Sequence, residues 1–233
     1  MRHRVLACDF DGTLATEGVC SEATVEALER VAATGIRLVL VTGRTREELA
    51  DVFDPGDLFE AIVLENGAVV LDASTGQEQL LAPRVPSGLV AELQRAGVVP
   101  LVVGRVLCST AWGQEAKLSA VIAKLGVDRQ VVRNRASAMV IPPGINKRTG
   151  FEAALRTLGE LPSATVAVGD GENDIPLFAV AGVSVAVANA VDALKARADV
   201  VLTEPNGKGI QLLAAALVAG DLGALTALSP LAG

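Results

Sequence analysis

The chain has 233 residues, 51% of them hydrophobic and 20% charged, which suffices for one large folded domain or two modest ones. A net charge of −7 and an aromatic content of 3%, with no tyrosine, argue against a nucleic-acid footprint or base-stacking platform. The single histidine, His3, argues against histidine nucleophiles, Ser-His-Asp hydrolysis and His-rich zinc sites, and the scattered Cys8, Cys20 and Cys108 suggest a reducing compartment without disulfides.

Short β-rich apolar runs alternate with helical patterns, the signature of a parallel sheet covered on both faces. Val5–Cys8 reads as the first strand. Ser21 then reads as a helix N-cap, with Val25, Leu28 and Val31 on one face and Gly35 as the stop. Leu38–Val41 reads as a second strand, a short helix follows from about Arg46, and Ile62–Leu64 reads as a third strand. Asn66-Gly67 predicts a tight turn into a hairpin strand over Ala68–Leu71.

Residues 83–143 differ in character. Pro83 and Pro86 mark their entry and Pro142-Pro143-Gly144 their exit, as expected of an inserted domain. Inside, the pattern predicts a helix over Gly88–Arg95, one strand over Val98–Val106, a helix over Glu115–Leu125, and strands over Gln130–Asn134 and Ala138–Ile141. The alternation then resumes. Helices are expected over Lys147–Leu158, Asn173–Val180 and Gly209–Val218, and strands over Thr165–Val168, Val183–Val187 and Val200–Leu202. The expected fold class is therefore α/β: a Rossmann-like core of residues 1–82 and 144–233, carrying a small α+β cap of residues 83–143.

Several chemistries lack their residues. No arginine stands six positions after any cysteine, where Leu14, Glu26 and Gln114 occur, and Gly207-Lys208 is followed by Gly209 rather than by the hydroxyl of a phosphate-binding loop. The apolar stretches Ile175 to Val191 and Ile210 to Leu228 are interrupted by proline, glycine and polar residues, and only three residues separate Arg4 from Cys8. A cytoplasmic monomer or homodimer is expected, with neither membrane nor nucleic acid as partner.

Carboxylate chemistry remains. Asp9-Phe10-Asp11-Gly12-Thr13-Leu14 follows the first strand, and sites in open α/β sheets lie at the carboxyl ends of strands. Two ionised carboxylates about 5 Å apart repel by roughly 3 kcal/mol at an effective dielectric near 20, a cost that a cation or a proton relieves. Thr42-Gly43-Arg44 follows the second strand and offers a hydroxyl and N–H groups beside a helix start, which favours phosphate. Lys147 opens a helix after the exit prolines. Gly169-Asp170-Gly171-Glu172-Asn173-Asp174 follows the Thr165–Val168 strand and supplies oxygen ligands for a hard cation.

With these four elements in this order, the chain resembles the haloacid dehalogenase superfamily of phosphatases. DFDGTL is similar to its nucleophile motif, TGR to its threonine motif, NKRTG to its lysine motif and GDGEND to its metal motif. The separation of 105 positions from Thr42 to Lys147 resembles members that carry the cap after the second motif. GDGENDIPLFAVAGVSVAVANA and Glu65-Asn66-Gly67-Ala68 resemble the Cof-like branch.

The resemblance implies a phosphatase acting on a small phosphorylated metabolite, either a sugar phosphate or a phosphoglycolate-like phospho-acid. It implies Asp9 as nucleophile and Asp11 as acid and base, with Thr42 and Lys147 completing the catalytic set. Thr42, Gly43, Arg44, Asn66, Lys147 and Asn173 would form the substrate-binding set. Mg²⁺ would be held by Asp9, Asp170, Asp174 and the backbone carbonyl of Asp11. The inserted domain would act as a lid, with Arg105, Arg133, Asn134 and Arg135 as candidate substrate contacts. A phosphomutase would use the same motifs, and a phospho-signalling or non-catalytic binding module is the reading from another class.

Overall fold

In the computed structural model, residues 3–134 and 136–226 are described. Strand β1 (Val5–Cys8) is apolar and buried along its whole length, as a strand covered on both faces must be. A two-residue ribbon, β2 (Ala15–Thr16) and β3 (Val19–Cys20), leads to α1 (Glu22–Ala32), where the Ser21 hydroxyl accepts a hydrogen bond from the Thr24 backbone N–H. Thr24, Ala27, Leu28 and Val31 form the buried stripe of that helix. Next come β4 (Arg37–Val41), α2 (Arg46–Ala50), β5 (Ala61–Leu64), β6 (Val69–Asp72) and β7 (Glu78–Leu80).

The next segment holds α3 (Ser87–Arg95), β8 (Val102–Val103), β9 (Cys108–Ala111), α4 (Glu115–Leu125), β10 (Gln130–Asn134) and β11 (Ser137–Ile141). Its sheet is antiparallel, in the order β10-β11-β9-β8. Leu89, Leu93, Val98, Cys108, Leu118, Val121, Ala138 and Val140 form a hydrophobic cluster of their own beneath α3 and α4. One strand expected over Val98–Val106 is here two elements. Pro100 lacks a ladder donor, and the chain turns back at residues 104–107, where Gly104 N–H donates to the Leu107 carbonyl. The second arm, β9, begins beyond the expected strand.

The chain returns through α5 (Lys147–Leu158), β12 (Thr165–Gly169), α6 (Ile175–Phe178), β13 (Val183–Ala186), α7 (Asp192–Lys195), β14 (Val200–Val201), α8 (Asn206–Ala219) and α9 (Gly223–Thr226). The helix expected over Asn173–Val180 is a 3-10 turn at Glu172–Asp174 followed by the four-residue α6. Helix α8 starts three residues earlier than expected, directly after Pro205.

The main sheet has the order β14-β13-β12-β1-β4-β5-β6-β7. The ladders from β14 to β5 are parallel, and β6 and β7 add antiparallel strands at one edge. Strand β1 lies between β12 and β4, so the carboxyl ends of these three strands meet at the middle of one sheet edge. The fold is α/β, with an additional antiparallel sheet. None of the described helices is long and apolar enough to cross a membrane.

Candidate active site

Asp9 directly follows β1, and its backbone N–H donates to the Val168 carbonyl of β12. Thr42 directly follows β4, with its N–H on the Val63 carbonyl of β5. Asp170 directly follows β12. Parallel pairing therefore delivers three motifs to one place without any contribution from their side chains.

Lys147 arrives from the other direction, as the first residue of α5. The helix is capped by Asn146, whose side chain accepts from the Arg148 and Thr149 N–H groups, while the Thr149 hydroxyl accepts from the Asn146 N–H. A lysine at a helix N-terminus faces the positive end of the dipole, a mildly unfavourable position. Two carboxylates offset it. Nζ of Lys147 donates to Asp9 Oδ1 at 2.5 Å and to Asp174 Oδ1 at 2.6 Å, and the lysine is 0% exposed.

Each carboxylate is held by a second set of donors. Thr13 Oγ1 donates to Asp9 Oδ2 at 3.0 Å and lies 3.4 Å from Asp170 Oδ1. Asp174 Oδ2 accepts from the N–H groups of Asp170 and Gly171, both at 3.0 Å, which closes the loop after β12 upon itself. Burial pushes the Asp9 carboxyl up, Lys147 pulls it back and Asp174 raises it again, leaving it at about 6. Burial alone would lower the Lys147 ammonium, but Asp174 and Asp9 outweigh it and the net shift is upward.

Asp9, Asp170 and Asp174 each present an oxygen within 4.8 Å of the other two, and all three are buried. An all-oxygen, all-anionic donor set suits a hard divalent cation such as Mg²⁺.

Asp11 lies beside this cluster at the mouth. Arg44 binds it through both carboxylate oxygens, so Arg44, expected to hold substrate, here holds Asp11. The same guanidinium donates to the Glu48 carbonyl and lies 5.5 Å from the centre of the Phe10 ring. Thr42 is fully buried, with its hydroxyl accepting from the Arg44 N–H. Asn66 accepts from Asn173 Nδ2 at 3.2 Å, joining the turn after β5 to the loop after β12.

A cleft of about 590 Å³ opens between the two sheets, lined on one side by Asp11, Gly43 and Arg44 and on the other by Ser109, Asn134 and Met139. The approach is close, since a methyl group on Gly43 would lie 2.9 Å from both Asn134 Nδ2 and Met139 Cε. Of the other expected lid contacts, Arg105 is turned away into ion pairs with Glu78 and Glu47. Arg133 covers the Trp112 ring. Arg135 lies outside the described residues.

Sequence reasoning assigned no role to Thr13 or Asn189. Asn189 Nδ2 donates to the Gly12 carbonyl and its Oδ1 accepts from the Asn206 N–H, which ties the nucleophile loop to the start of α8. Its position after β13, at the carboxyl edge of the sheet, was the available signal.

A family model of haloacid dehalogenase-like hydrolases matches residues 6–95 and 113–212. The chain belongs to this family. Phosphoglycolate phosphatase 2 of Saccharolobus solfataricus is 30% identical over 227 residues, covering 94% of each chain. Phosphoglycolate phosphatase of Halorubrum lacusprofundi is 32% identical over 210 residues, or 85% of this chain and 90% of its own length. Among solved structures, a haloacid dehalogenase-like hydrolase from Bacteroides thetaiotaomicron superposes with a TM-score of 0.75 at 21% identity, covering 92% of this chain and 99% of that one. A subclass IIB sugar phosphatase of the same superfamily superposes with a TM-score of 0.65 at 22% identity, over 85% of this chain and 93% of its own. As a member of this family with these relatives, the chain is an enzyme, a phosphatase.

Proposed function

We propose that the chain hydrolyses a small phosphorylated metabolite with Mg²⁺, through an aspartyl-phosphate on Asp9, and that residues 83–143 act as its cap. The observation that carries this reading is the buried Asp9 carboxylate, held between Lys147 and Thr13 and beside Asp170 and Asp174. A carboxyl with a pKa of about 6 is ionised at neutral pH and little solvated, which suits it to attack phosphorus.

In the first half-reaction an Asp9 oxygen bonds to phosphorus and the bond to the leaving oxygen breaks, with Asp11 giving that oxygen its proton. In the second, water attacks phosphorus, Asp11 takes its proton, and inorganic phosphate leaves with Asp9 restored. Lys147 and the Thr42 hydroxyl hold the phosphoryl oxygens. Asp9, Asp170, Asp174 and the Asp11 backbone carbonyl would hold the cation. Once bound, it supplies charge neutralisation for the phosphoryl group and for the three acids. Phosphate-monoester hydrolysis needs accelerations up to about 10²¹, which is why so many fixed charges converge.

The substrate class is a phosphoglycolate-like phospho-acid or a sugar phosphate. Relatives named phosphoglycolate phosphatases over nearly the whole chain support the first, and the fold likeness to a sugar phosphatase keeps the second in the panel. The test is phosphate release from 2-phosphoglycolate and a set of hexose phosphates, with Mg²⁺, with EDTA, and with Asp9→Asn. Release that needs the cation and vanishes in Asp9→Asn is the expected result. Undiminished turnover by Asp9→Asn would overturn the nucleophile assignment.

A further inference from the structure

One buried carboxylate near the site takes no part in this mechanism. Glu65, 2% exposed, follows β5 and begins the 3-10 turn Glu65–Gly67. Its side chain points away from the acid cluster, towards the second sheet. There it accepts three hydrogen bonds from consecutive backbone N–H groups: Arg105 to Oε1 at 2.6 Å, Val106 to Oε2 at 2.8 Å and Leu107 to Oε2 at 3.0 Å. These N–H groups belong to the turn between β8 and β9, and they wrap the carboxylate as an anion nest. Charge-assisted bonds of this kind are about twice as strong as neutral ones. Gly104 completes the fit, because a methyl group there would lie 2.6 Å from the carboxylate.

The backbone of Glu65 faces the catalytic loops. Its N–H donates to the Arg44 carbonyl, and the N–H of Asn66 donates to the Thr42 carbonyl. Both residues have positive φ, 52° for Glu65 and 56° for Asn66, a strained conformation that the surrounding bonds hold in place. One residue therefore binds the loop carrying Thr42 and Arg44 through its main chain and the second sheet through its side chain. The grip also lies immediately before β9, on which Ser109 stands, and Met139 of β11 is registered opposite Ser109. Both line the cleft.

Resting on the phosphatase reading above, we propose that Glu65 is a positioning residue that seats the cap: its carboxylate fixes the turn at residues 104–107 and so sets how Ser109, Asn134 and Met139 stand over the leaving group. The residue touches neither phosphate nor cation. Its effect depends on how much of the substrate the cap reads.

Two variants and two substrates test this. Glu65→Gln keeps the shape but replaces one acceptor oxygen with an N–H₂ that faces buried donors. Gly104→Ala presses on the same contact from the other side and leaves the charge intact. Each is compared with the parent on 2-phosphoglycolate, or on the best hexose phosphate if that is preferred, and on p-nitrophenyl phosphate. The nitrophenyl group offers the cap edge no hydroxyl or carboxylate to read and leaves without protonation. The expected result is a kcat/KM for the metabolite at least tenfold lower in both variants, carried mainly by KM, with turnover of p-nitrophenyl phosphate within about threefold of the parent. Equal losses on both substrates, or no loss on either, would overturn the proposal.

Amide hydrogen exchange supplies a readout that needs no activity. The N–H groups of Arg105, Val106 and Leu107 should be as protected as the β9 to β11 ladder in the parent and should exchange faster in Glu65→Gln. Unprotected amides in the parent would sink the seat even if the enzyme were active. A parent without phosphatase activity but with these amides protected would instead sink the functional reading and leave the seat standing.

Discussion

Arg44 grips Asp11 with both arms of its guanidinium, Nε to Oδ2 at 2.8 Å and Nη2 to Oδ1 at 2.7 Å. A bidentate fork fixes the plane of the carboxylate as well as its place. The oxygens so placed are those that Asp11 would use as the base of the second half-reaction. To act as the acid of the first, Asp11 must carry a proton and turn towards the leaving oxygen. Loss of a general acid typically costs about 10² to 10⁴ in rate, and the cost depends on how much the leaving group needs its proton. Asp11→Asn is therefore expected to slow alkyl phosphate hydrolysis within that range and to spare formation of the phosphoenzyme from p-nitrophenyl phosphate. Rapid-quench measurement of the two half-reactions checks this. Arg44→Lys keeps the charge but loses the fork, and should fall between the parent and Asp11→Asn.

Lys147 is a buried cation between two buried anions. Replacing it with Met preserves much of the volume but leaves Asp9 and Asp174 without their ammonium. Breaking a buried ion network from one side costs about 3–5 kcal/mol. In EDTA, Lys147→Met should lose stability of that order in urea denaturation. Because a cation in the same carboxylate cluster would take over part of the neutralisation, Mg²⁺ should stabilise the variant more than the parent. Equal stabilisation of the two proteins would mean that the cation does not reach these carboxylates.

Cation binding should also report the state of Asp9. Its carboxyl titrates at about 6 because burial, followed by the competing effects of Lys147 and Asp174, sets its proton affinity. A ligand must lose its proton before it can coordinate. Below pH 6 the proton therefore competes with the cation, whereas above it the site is already ionised. Apparent Mg²⁺ affinity is expected to fall about tenfold from pH 7 to pH 5 and to flatten above pH 7. Titration calorimetry at several pH values checks this, with Asp9→Asn as the control that removes the dependence. A flat profile in the parent would contradict Asp9 as a ligand.

The four motifs were legible in the sequence because each is local. Asp9, Thr42 and Asp170 each follow a short run of buried β residues, and the parallel sheet brings such strand ends together whatever the loops between them. Lys147 was legible through the prolines before its helix. The second sheet was read less well. The stretch from Val98 to Val106, apolar but for Gly104 and Arg105, conceals the reversal, since the N–H groups of the turn are answered by the distant Glu65 side chain rather than by polar residues beside it. Glu65 contacts Val106 across 41 residues, and no local pattern announces such a pairing. The direction of Arg105 was hidden for the same reason. Its partners, Glu47 and Glu78, come from other parts of the chain.

One glycine of the lysine motif has a packing role that can be tested apart from catalysis. Gly150 lies on the first turn of α5, where it meets the turn after β5. A methyl group there would overlap the Val63 side chain and lie 2.7 Å from the Gly67 Cα and 2.9 Å from the Gly67 carbonyl oxygen. Gly67 cannot retreat, because it has φ of 100° and is itself pressed against the Asn146 backbone. In an exposed helix interior, Gly→Ala would stabilise by about 1 kcal/mol. Here the clash with fixed backbone should reverse the sign and cost about 1–3 kcal/mol, as overpacking does. Lifting α5 also moves Lys147 off Asp9 and Asp174, so Gly150→Ala should lose kcat together with stability. A variant as stable and as active as the parent would show that α5 can shift without cost, and that the close packing of helix on turn does not position the lysine.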